Sequence, residues 1–92
     1  MKVILAKRAA DDIEAIQRYI ARESPRGAAN VIAAIEAAIG FIAVHPKACP
    51  RVLPDLRMKM VRPYGYKIFF AASETSIEIL HIRHPSRGPE WR

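Results

Sequence analysis

Three histidines, nine acidic residues and one cysteine are the side chains from which this chain could build an acid–base or metal centre. Their spacing argues against most of the usual arrangements. His81 and His84 lie three apart on the extended-looking segment Ser76-Ile-Glu-Ile-Leu-His-Ile-Arg-His84, so they point to opposite faces and make a poor metal pair. His45 and Cys49 have no further ligand near them and read as chance spacing, so no metal site is expected. Asp11, Asp12 and Glu14 open a helical pattern, where the positive end of the helix dipole favours anions. They read as dipole partners and not as an acid–base pair. What remains is His84, a candidate general base beside Arg83 and Arg87 because histidine as a residue type changes charge near neutral pH.

The segment after His84, Pro85-Ser-Arg-Gly-Pro-Glu-Trp-Arg92, is kept from regular structure by its prolines and glycine. It offers Arg87, Trp91 and Arg92, together with His84, as target-binding residues, because tryptophan and arginine are enriched in binding hot spots. Charge points the same way. The net charge is +6, and residues 1–46 supply +1 of it against +5 from residues 47–92. Nucleic acid, the ribosome or an acidic protein segment could each answer such a field.

These residues need a scaffold. At 92 residues, 51% of them hydrophobic, the chain suits one globular domain spanning residues 1–92. A lone cysteine and an N-terminus without a signal-peptide pattern suit a cytoplasmic location. Val3, Ile4 and Leu5 predict a first strand over residues 2–6, buried on at least one face. Ala9, Ile13, Ile16 and Ile20 then recur at helical spacing, predicting a helix to about Glu23. Ser24-Pro25 caps and starts a second helix that His45-Pro46 ends. Its two apolar rows, one through Ile32, Ile35, Ile39 and Ile42 and one through Val31, Ala34, Ala38 and Phe41, predict contact with two neighbours. The neighbours expected are the first helix and a sheet, with a partner helix as the alternative for part of the second row. Glu36 inside this tract, costing about 2.5–3.5 kcal/mol in a bilayer, and the tract's length argue against a membrane span.

Residues 47–54 read as irregular. Alternation then predicts strands over residues 56–61, 66–70 and 77–83, joined as an antiparallel meander. The fold class is therefore α+β: an N-terminal strand, an α-helical hairpin and a three-stranded meander. Arg57, Lys59 and Lys67 are expected to share a cationic face, with Arg62 beside them as part of one basic surface.

This order, with Ala10-Asp-Asp-Ile-Glu-Ala-Ile-Gln-Arg-Tyr-Ile20, His45-Pro46, Arg62-Pro-Tyr-Gly-Tyr-Lys-Ile-Phe-Phe70 and Ile77-Glu-Ile-Leu-His-Ile-Arg-His84 followed by Arg87, resembles the RelE/ParE superfamily of type II toxin–antitoxin toxins. The resemblance implies a toxin held by a cognate antitoxin, with a role in plasmid stabilisation and no cofactor. A RelE-like member would be a ribosome-dependent mRNA endonuclease working through paired lysines on the second strand, an arginine after a Gly-Tyr pair, and basic and tyrosine residues near the C-terminus. Anchored at Gly65-Tyr66, that pattern puts Lys67 at the arginine but Met58 and Met60 at the lysines, and no tyrosine follows Tyr66. Lys67, Arg83, His84 and Arg87 are the residues such an enzyme would use. The histidine-ended strand followed by arginine resembles the ParE-like branch more closely, which implies binding and inhibition of DNA gyrase without catalysis.

Overall fold

The computed structural model describes residues 1–85. Arg87, Trp91 and Arg92 lie outside the described residues. The chain runs β1 (Lys2–Leu5), α1 (Lys7–Ala21), α2 (Pro25–Val44), a 3-10 turn (Pro46–Ala48), β2 (Arg51–Leu53), β3 (Leu56–Val61), β4 (Tyr66–Ala72) and β5 (Ser76–Arg83). All five strands form one sheet in the order β1-β5-β4-β3-β2. The meander is antiparallel throughout, whereas β1 pairs parallel with β5, from Lys2 opposite Ser76 to Leu5 opposite Ile79. The expected elements are therefore present. The segment read as irregular contributes one more strand, β2, too short for a hydrophobic period to reveal it.

The helices are placed by their apolar rows and by one cap. Ser24 Oγ accepts a hydrogen bond from the Gly27 amide at 2.9 Å, satisfying a donor that the helix start leaves without a partner, and Pro25 takes the first position of α2. Along α2 the buried residues are Ala28, Val31, Ile35, Ala38 and Ile42, one row drawn from both predicted ones. Facing them are Ala9 and Ile16 of α1 and Ile68, Phe70, Ile77, Ile79 and Ile82 of the sheet, all sealed from solvent. Each fully buried Ile or Phe contributes roughly 1.5–3 kcal/mol. By length and composition α2 could cross a membrane; it is this buried row against α1 and β3, and not its length, that argues for a core helix.

β1 departs from expectation. Val3, Ile4 and Leu5 are 37%, 41% and 44% exposed, so neither face is buried. The cause is position: β1 is an edge strand with β5 as its one neighbour.

Asp12 also departs from its expected role. It stands in the second turn of α1, beyond reach of the dipole's positive end. Its Oδ2 accepts from the Ile82 backbone amide at 3.0 Å and from His81 Nδ1 at 2.8 Å. β1 stops opposite Ile79, and Ala6 donates to the Ile79 carbonyl at 2.9 Å before the chain turns into α1. Asp12 thus supplies, from a helix, the acceptor that a longer β1 would have given β5. Because a carboxylate only accepts, Nδ1 of His81 carries the proton in this contact. The other two acids are explained by surface pairs one helical turn apart, Asp11 with Lys7 and Glu14 with Arg18, each at 2.9 Å.

Cys49 is 3% exposed, and burial pushes its thiol pKa up, with the nearby Lys59 and Arg57 charges opposing. Its Sγ lies 4.0 Å from the backbone carbonyl oxygen of His45.

Two outcomes follow from this packing. Replacing Ile35 with Asp buries an unpaired charge worth several kcal/mol and should abolish the cooperative thermal transition seen by circular dichroism. Replacing Asp12 with Ala leaves two part-buried donors without their acceptor and should lower the unfolding free energy by about 1–3 kcal/mol at unchanged m-value in urea, with Asp12→Asn losing less because one amide oxygen can still accept.

Candidate functional site

In an antiparallel pair, residues opposite one another share a face, so the register sorts the basic residues. Arg57 lies opposite Phe70 and Lys59 opposite Ile68, both buried under the helices, whereas Lys67 lies opposite Met60. The shared cationic face of Arg57, Lys59 and Lys67 is therefore corrected. Arg57 and Lys59 belong to the helix side and Lys67 to the outer side. Arg57 Nη1 donates to the Cys49 carbonyl at 2.6 Å, and Lys59 Nζ lies 4.5 Å from the centre of the Phe41 ring on α2. Arg62 is exposed just beyond the end of β3. The alternation in β3 was legible in the sequence, but which of its rows faced the helices was decided by β4.

On the outer side, Lys67 is opposite Arg83 on β5, and Phe69 is opposite His81. The Phe69 and His81 rings stack with centroids 5.8 Å apart and planes at 14°. His81 is held from its other edge by Asp12, with the Arg8 guanidinium 3.5 Å from Nε2. Lys67 and Arg83 are like charges directly opposite each other, an arrangement that costs stability in a sheet. Retained here, it leaves two cations at one point of the outer face next to Met60.

One residue further on, the end of β5 meets the start of β4. His84 stands edge-on to Tyr66 at 5.1 Å and to Tyr19 of α1 at 6.2 Å between ring centroids. Tyr66 is buried and Tyr19 is 46% exposed. Gly65 shapes this corner: its φ of +86° suits glycine, and a Cβ there would come within 3.4 Å of Pro85. The candidate residues Lys67, Arg83 and His84 are thus gathered at one end of the sheet. Arg57, Lys59 and Arg62 are elsewhere. Tyr19 was not among the candidates, and nothing in the local sequence distinguishes it from an ordinary helix-surface aromatic.

The other end of the sheet carries a pocket of about 780 Å³ whose lining includes Lys47, Arg51 and Arg57 but also Asp55 and Glu74, a mixture that selects no one charge of ligand. Among the described residues, no group of three His, Cys, Asp or Glu side chains is arranged to hold a metal ion.

Comparison with known proteins adds the lineage. No curated protein sequence matches the chain. A solved structure from the chromosomal ParDE toxin–antitoxin system of P. aeruginosa superposes with a TM-score of 0.77, covering 91% of this chain and 95% of that one at 22% identity, which shows a shared fold. The family model described as the ParE toxin of the type II toxin–antitoxin system parDE matches residues 3–89, nearly the whole length. By that match, the chain belongs to the ParE toxin family.

Proposed function

We propose that this ParE-family toxin acts by binding DNA gyrase and inhibiting it without catalysis of its own, in the cytoplasm, until a cognate antitoxin neutralises it. The observation that carries this reading is the outer face of the sheet. Beside Lys67, where a phosphate-cleaving centre would need further cations along β3, stand Met58 and Met60, polarisable apolar side chains that suit a protein contact. Lys67 and Arg83 supply the charge at its end, while His84, packed against Tyr66 and Tyr19 of α1, lies at the same end on the helix side. A surface with apolar and cationic parts fits an interface better than a nuclease cleft.

From their residue types alone, Arg87, Trp91 and Arg92 are further candidates for target binding, with Trp91 as the apolar anchor and Arg87 giving charge-assisted hydrogen bonds. The competing reading, a ribosome-dependent mRNA endonuclease using Lys67, Arg83, His84 and Arg87, is separated by assay. Purified toxin should inhibit gyrase supercoiling and leave mRNA intact in a translation-coupled cleavage assay. Trp91→Ala should weaken gyrase binding by about 2 kcal/mol or more, roughly thirtyfold, while the thermal midpoint stays within a few degrees. Cleavage of mRNA with unaffected gyrase would reverse the assignment.

A further inference from the structure

The register sorts the outer face of the sheet into rungs, and two of them lie side by side near the end that carries Tyr66. Met60, Lys67 and Arg83 form one across β3, β4 and β5, and Met58, Phe69 and His81 form the next. Neither Lys67 nor Arg83 has a side-chain hydrogen bond or ion pair with another described residue. Like charges directly opposite one another destabilise a sheet, so an anion brought from outside relieves the pair as it binds. Acids of the chain are kept from that role. On this face the nearest acid along the register is Glu78, opposite Ala71 and four residues along β4 from Lys67, roughly 13 Å away. That exceeds the Debye length of about 8 Å at physiological salt. Asp12 reaches the neighbouring residues, but its carboxylate is engaged there by the Ile82 amide and the His81 ring. Arg8 adds a third cation beyond His81, 3.5 Å from Nε2.

The second rung narrows the kind of anion. Single-stranded nucleic acid is held by bases stacked on open aromatic faces. Here the Phe69 ring is stacked on His81, and Met58 stands opposite Phe69 on the other neighbouring strand, so a base could stack only by displacing one of them. His81 Nδ1 is bound to Asp12 and Nε2 faces Arg8, which leaves the rung without a reader for a base edge. Cations without a base reader suit phosphates, the contacts that position a nucleic acid without reading its sequence. A duplex supplies those charges in close succession, one per about 1.7 Å of helix axis, with its bases already stacked. A single carboxylate of a protein partner would bring one charge to three cations.

We propose that Lys67 and Arg83, supported by Arg8, hold the phosphate backbone of duplex DNA, the segment that gyrase carries when the toxin engages it. The contact is independent of sequence and of any cleavage. It rests on the gyrase reading for the source of the DNA, whereas the phosphate site itself is defined without gyrase.

The test titrates full-length toxin onto a labelled duplex oligonucleotide over a range of salt concentrations and follows fluorescence anisotropy. The logarithm of the binding constant should fall linearly with the logarithm of salt concentration, and Lys67→Gln and Arg83→Gln should each make the slope shallower by about 1. Scrambling the duplex sequence should change nothing, and Lys67→Arg should keep the wild-type slope. Lys47→Gln, which removes the same charge at the opposite end of the sheet, should also keep it. The thermal midpoints of the two glutamine variants should equal or exceed that of wild type, because a repulsion has been removed. With gyrase, the double glutamine variant should lose more affinity for the gyrase–DNA complex than for DNA-free gyrase. Wild-type slopes in both glutamine variants, or an equal change with Lys47→Gln, overturn the proposal by reducing the effect to net charge. Tighter binding of single-stranded RNA than of duplex DNA through the same pair overturns it in favour of the nuclease reading. Equal losses on gyrase with and without DNA overturn it by giving the pair to a protein contact. Wild-type toxin that fails to inhibit gyrase but binds the duplex through the pair sinks the gyrase reading and leaves the phosphate site standing.

Discussion

The two-residue alternation along β3, β4 and β5, locked by the pairing register, decides nearly everything about this molecule. A slip of one residue would exchange the helix-facing row for the outer row in an entire strand. The register is held where apolar side chains oppose one another beneath the helices, at Ile68 with Ile82 and at Phe70 with Ile79. Once those pairs are in place, Lys67 and Arg83 are forced together on the outer face, and Lys59 is forced inward until it finds the Phe41 ring. The distribution of positive charge is thus a consequence of core packing. It is not an independent feature laid over the fold.

The bulge in β5 has a similar reach. Pairing with β4 shifts between Phe69 and Phe70, so the strand carries an extra residue beyond Ile79, just where β1 ends. An extra residue bends a strand and re-aims the side chains that follow it. Here those side chains are His81, Arg83 and His84. Asp12 takes the Ile82 amide and the His81 ring together, so α1 holds the strand at the point where it bends. Core, bulge and helix therefore act in series on the end of β5. The residues proposed to meet a partner sit where three constraints converge.

How much of this was legible in the sequence depended on the range of the interaction involved. The helices were legible because Ile13, Ile16 and Ile20, and Ile35, Ile39 and Ile42, repeat within a few residues and because Ser24-Pro25 is a local start signal. The three meander strands were legible for the same reason. The sharing of a face by Arg57, Lys59 and Lys67 was not, because it is settled by which residue of β4 stands opposite which residue of β3. Asp12 resembled any acid near a helix start, since its partners are about seventy positions away. The apolar run Val3-Ile4-Leu5 signalled a strand correctly but a buried one wrongly, because periodicity carries no information on whether a strand ends at the edge of its sheet. The gathering of Lys67, Arg83 and His84 at one end was only half legible, since their register joins β4 to β5 while Tyr19 arrives from α1.

Edges remain the unfinished part of the structure. A five-stranded open sheet has two of them, and here both carry exposed apolar residues: Val3, Ile4 and Leu5 on β1, Val52 and Leu53 on β2. Such edges are an aggregation hazard that proteins usually blunt with charge, proline or a cover. On the β2 side the blunting is partial, with prolines at positions 50 and 54 bracketing a three-residue strand, and it stops at Met58. Beyond that point the only protection among the described residues is charge, from Lys59 and Arg62. Positive charge repels further copies of this chain and attracts an acidic one. An edge guarded in this way discriminates between self-association and a partner by the sign of the partner's charge, which is a form of selectivity that needs no additional contact.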